Sequence, residues 1–102
     1  MFYIIKMIHL DREPDLGNRP LRNWSASSDG IFLQKEVALE YIQGNYGDLN
    51  EGGYYEYAVV LEIEEGLYPI GKEIQWFTWD RYMDEYVRSV RPSFMDGWAL
   101  SL

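Results

Sequence analysis

The chain's single histidine, His9, stands two residues before Asp11, a spacing at which a carboxylate can orient an imidazole as a general base. No serine or threonine is tied to it by a nucleophile motif, so the pair does not amount to a catalytic set. Cysteine is absent from all 102 residues, which excludes disulfide scaffolds, thiolate zinc centres, iron–sulfur clusters and cysteine nucleophiles. Asp11, Glu13 and Asp15 place three hard oxygen donors at alternate positions, as a calcium loop does. Here, however, glycine arrives seventh rather than sixth, Pro14 interrupts, and Arg22 occupies the twelfth position, where a bidentate glutamate is needed. Asp48-Leu49-Asn50-Glu51-Gly52-Gly53 puts glycine sixth, but Val59 twelfth. Both segments read as solvated turns, and the sequence leads us to expect no metal, no cofactor and no catalytic residue.

Two other groups of residues could bind rather than react. Arg12, Arg19 and Arg22 fall in one stretch and could clamp an anion, with Trp76 stacking a flat ligand such as a nucleobase. That is the alternative reading: a sensor or sponge for a nucleotide-like molecule. The leading one rests on nine tyrosines, four tryptophans and four phenylalanines, more aromatic area than a small core needs. Trp24 and Tyr54, rimmed by Glu56, Glu62, Glu64 and Glu65, form the expected partner-binding patch.

Charge selects the partner. Seventeen acidic against nine basic side chains leave a net charge of −8, which disfavours nucleic-acid phosphates and anionic membranes and favours a basic protein surface. Met1 to Leu10 is apolar but holds Lys6 and His9 and has no cleavage-site pattern, so it reads as neither signal peptide nor membrane span, and a cytoplasmic location is expected. In composition the chain resembles short acidic inhibitors such as immunity proteins, antitoxins and phage-encoded anti-defence proteins, without a diagnostic motif. The expectation is a non-enzymatic acidic protein-binding module, with a homodimer left open because an uncovered edge strand invites pairing.

The elements that would carry these residues follow from periodicity. Phe2–His9, apolar on both parities, predicts a central strand. Residues 10–30, with Pro14, Gly17, Pro20 and a Ser-rich cluster, predict a long ordered loop. From Gln34 the spacing of Val37, Ala38, Tyr41 and Ile42 predicts an amphipathic helix ending near Tyr46. Tyr54–Ile63 and Glu73–Thr78 predict strands. Trp79, Tyr82, Met83, Tyr86, Val87 and Val90 recur at helical spacing and predict a second helix over 80–90, closed by Pro92. Trp98–Leu102 predicts a terminal strand. The order β-α-β-β-α-β predicts a single α+β domain with the ferredoxin-like plait, four antiparallel strands with two helices on one face.

Overall fold

Phe2–Leu10 forms β1, and its apolar residues occupy both parities because the sheet is covered on both faces. The chain is described from a computed structural model, whose described residues are 1–11, 24–66 and 71–101. β1 pairs with β2 (Trp24–Phe32) on one side and β3 (Tyr57–Ile63) on the other; β4 (Lys72–Asp80) and β5 (Glu85–Ser89) complete an antiparallel sheet ordered β2-β1-β3-β4-β5. One helix, α1 (Lys35–Gln43), and two short 3-10 turns at Glu51–Gly53 and Ser93–Met95 are the other regular elements among the described residues.

This corrects the plait. The segment expected to be the second helix is the β4–β5 hairpin, in which Trp79 lies opposite Tyr86 and Thr78 opposite Val87. The Ser-rich half of the expected long loop is strand β2, and residues 12–23 lie outside the described residues. The expected terminal strand is an extended tail instead, held where the Gly71 amide donates to the Leu100 carbonyl at 3.1 Å. α1 stops at Gly44, earlier than Tyr46.

Each face of the sheet has its own core. On one, Ile5, Met7, Ala58, Val60, Phe77 and Tyr86 pack beneath Ala38 and Ile42 of α1. On the other, Ile4, Ile8, Val59, Leu61, Ile63 and Trp76 are covered by Met95 and Leu100 of the C-terminal tail. Gly71 has to be glycine where that tail crosses: an added Cβ would lie 2.8 Å from the Cβ of Leu61. Arg91 anchors the tail. Its guanidinium donates to Glu73 at 2.9 Å and to the Trp98 carbonyl, and Glu73 also accepts the Trp76 indole N–H at 2.7 Å.

Candidate functional site

The start of β3, the end of β4 and the segment following α1 meet at one end of the sheet. Between them lies an open groove of about 1110 Å³, whose lining includes Asp48, Glu56, Tyr57, Trp79, Asp80, Arg81, Tyr82 and Asp84. Four acidic residues thus share the lining with one arginine. Why the chain folds this way locally is legible in its hydrogen bonds. Asp80 ends β4 and its Oδ1 accepts from the amides of Tyr82 (2.9 Å) and Met83 (3.1 Å), an Asx turn that fixes the hairpin tip. Asp84 then takes the left-handed conformation at φ 56°, which aspartate tolerates better than most side chains, and β5 begins. The tip holds Tyr82 fully exposed, at 101%, with Met83 beside it at 64%.

The opposite wall is held from behind by Asn50, the buried polar residue of the described chain. Its amide donates to Asn45 Oδ1 (2.8 Å), and its Nδ2 donates to the Tyr55 carbonyl (3.1 Å) and to the Tyr86 hydroxyl (3.5 Å). Tyr86 in turn donates to the same Tyr55 carbonyl at 2.6 Å. Burial pushes the Tyr86 phenol up to about 12; the hydrogen bond from Asn50 works against that shift, and nearby Asp48 adds to it. The β3 entry is stitched to β4 where the Trp79 amide donates to the Glu56 carbonyl at 2.8 Å. A lining that combines four acidic residues with Tyr57, Trp79 and Tyr82 suits a cationic group, above all a guanidinium, which carboxylates bind in bidentate fashion and aromatic rings stack.

Of the residues singled out from sequence, Glu56 lines this groove. Tyr54 is about half exposed near it and stacks on His9, with ring centroids 4.0 Å apart and planes 9° apart. His9 Nδ1 lies 2.9 Å from the Tyr54 carbonyl oxygen, and a carbonyl only accepts, so Nδ1 is the donor. Glu62, Glu64 and Glu65 are elsewhere: six residues of extended β3 separate Glu56 from Glu62, about 20 Å. Glu62 is half-buried opposite Tyr3 and Lys72. The Tyr3 phenol is pushed upward first by burial and then by the charges of Glu62 and Glu36. Trp24 is buried and packs edge-on against Trp98 at 5.7 Å, and Trp76 is buried with its indole bonded to Glu73. Arg12, Arg19 and Arg22 lie outside the described residues.

Sequence reasoning missed Asp48, Trp79, Asp80, Tyr82 and Asp84 as a group. Their signal was present as Asp80 and Asp84 on either side of Arg81, Tyr82 and Met83, a turn pattern that helical spacing masked. Among the described residues no cluster of three or more His, Asp and Glu is arranged to hold a metal ion, and no helix is long and apolar enough to cross a membrane. Compared with known proteins, the chain matches no family model, no curated protein and no solved structure.

Proposed function

We propose that the chain is a non-enzymatic acidic binding module that docks a basic protein at the hairpin end of its sheet. The observation that carries this reading is the groove itself: Asp48, Glu56, Asp80 and Asp84 around aromatic walls, beside a tyrosine exposed on a turn held by Asp80. Tyr82 is the anchor, because an exposed rigid aromatic offers large contact area at small entropic cost. The carboxylates steer a basic partner and then accept its hydrogen bonds. An inhibitor or immunity-type role follows where that basic surface is the working site of an enzyme. On the sequence grounds above, the proposal extends to a cytoplasmic location.

A polyarginine peptide is the probe. Isothermal titration at low salt should show D48K/D84K binding on the order of tenfold more weakly than wild type, a loss of about 1.4 kcal/mol. The control E64K/E65K, which changes the same charge at the other end of the sheet, should bind as wild type does to within about twofold. Equal losses from the two pairs would reduce the groove to nonspecific charge and overturn the proposal.

A further inference from the structure

Among the described residues, the antiparallel sheet ends in two different edges. β5 is five residues long and carries Glu85 and Arg88, charges that discourage an incoming strand. β2 is nine residues long and carries one charge, Asp29, whose carboxylate already accepts from Ser27 Oγ at 3.1 Å. Ser25, Ala26 and Ser28 along it are exposed and small, so no bulky side chain holds another backbone away. Regular pairing runs from Trp24 to Asp29; Gly30, at φ 82°, then forms the bulge opposite Ile4 and Ile5.

From this edge we infer that β2 pairs with β2 of a second copy of the chain, antiparallel about a two-fold axis normal to the sheet. Such an axis requires opposing side chains to share a face, so it must pass through a residue rather than between two. Centred on Ser27, it sets Ser28 opposite Ala26 of the second copy and Asp29 opposite Ser25, whose hydroxyl can donate to the carboxylate. The two Asp29 residues fall on opposite sides of the axis, so like charges never face each other. A second copy fits better than a basic partner because β2 offers a cation almost nothing, whereas the strand complements itself. Ile31 and Leu33, at 72% and 82% exposure, add apolar area at the end of this edge. The product is a ten-stranded sheet with the two grooves at its far ends, a bivalent arrangement that raises avidity for a multivalent partner.

Sedimentation equilibrium of the full chain at sub-millimolar concentration should give twice the 12.1 kDa chain mass. The variant A26K/S28K opposes lysines across the axis and should be monomeric, with its far-UV circular dichroism unchanged because both sites are exposed. A26K/S28E sets lysine opposite glutamate in the Ser27-centred register and should restore the dimer, with increasing salt weakening it. A monomeric wild type, a dimer indifferent to A26K/S28K, or failure of the A26K/S28E rescue would each overturn the inference. None of these outcomes depends on the groove.

Discussion

Tyr86 ties the groove to the core through one hydroxyl, and its ionisation gives that tie a pH signature. Its folded value of about 12 lies above that of a free phenol, about 10. Below about pH 10 both folded and unfolded chains hold the proton and the stabilisation is complete; between about 10 and 12 the unfolded chain releases it while the folded chain keeps it, so stability falls as pH rises. Tyr86→Phe removes the bond to the Tyr55 carbonyl and leaves the buried amide of Asn50 with one partner fewer. Urea unfolding at neutral pH should show a loss of about 1–2 kcal/mol. Repeating it above pH 10 should show the gap between variant and wild type closing. A gap that stays constant with pH would mean that the hydroxyl does not titrate with folding. Lys6 is the opposite case: burial lowers its ammonium while Asp29 partly restores it, so its charge is a cost that rising pH relieves.

At the scale of elements, what was legible depended on how many physical signals agreed. β1 and β3 could be read because β-branched and aromatic residues fill long extended runs. α1 could be read because its buried pair, Ala38 and Ile42, recurs at one helical turn. The hairpin was misread because Trp79 and Tyr86, seven residues apart, satisfy two helical turns and a cross-strand pair equally well. The deciding cue was local: Asp80 precedes and Asp84 closes the four-residue turn 81–84, and the polar backbone there is satisfied by a side chain rather than by a helix. β2 was misread because an edge strand packed on one partner needs little apolar content, and its serines look like loop chemistry. The groove was lost with the hairpin, since its residues converge only when 80–84 turn back. The tail makes its own prediction. Glu73→Ala strands the Trp76 indole in the core and takes from Arg91 its carboxylate on β4, and should cost roughly 1.5–3 kcal/mol in thermal or urea unfolding. Faster amide exchange over 91–100 should accompany that loss. An unchanged exchange pattern would show that Arg91 does not anchor the tail.

Across the whole molecule, acidic residues gather at both ends of the strands. One end of the sheet carries the groove, Tyr82 and the His9–Tyr54 stack; the other carries Glu62, Glu64 and Glu65 with Lys72 and the Arg91–Glu73 pair. Net charge alone would steer a basic partner to either end; at the first, Tyr82 stands fully exposed beside the carboxylates, and such an anchor turns attraction into a defined contact. The edge strand β2 lies across the sheet from the β4–β5 hairpin, so pairing there leaves the groove open. The most direct test is a ¹H–¹⁵N correlation spectrum of the labelled chain, titrated with polyarginine at low ionic strength. Shifts confined to residues 45–57 and 78–87, fading as salt shortens the screening length from about 30 Å towards 3 Å, are the result the groove predicts. Shifts centred on 62–65, or spread evenly over every acidic residue, would contradict it.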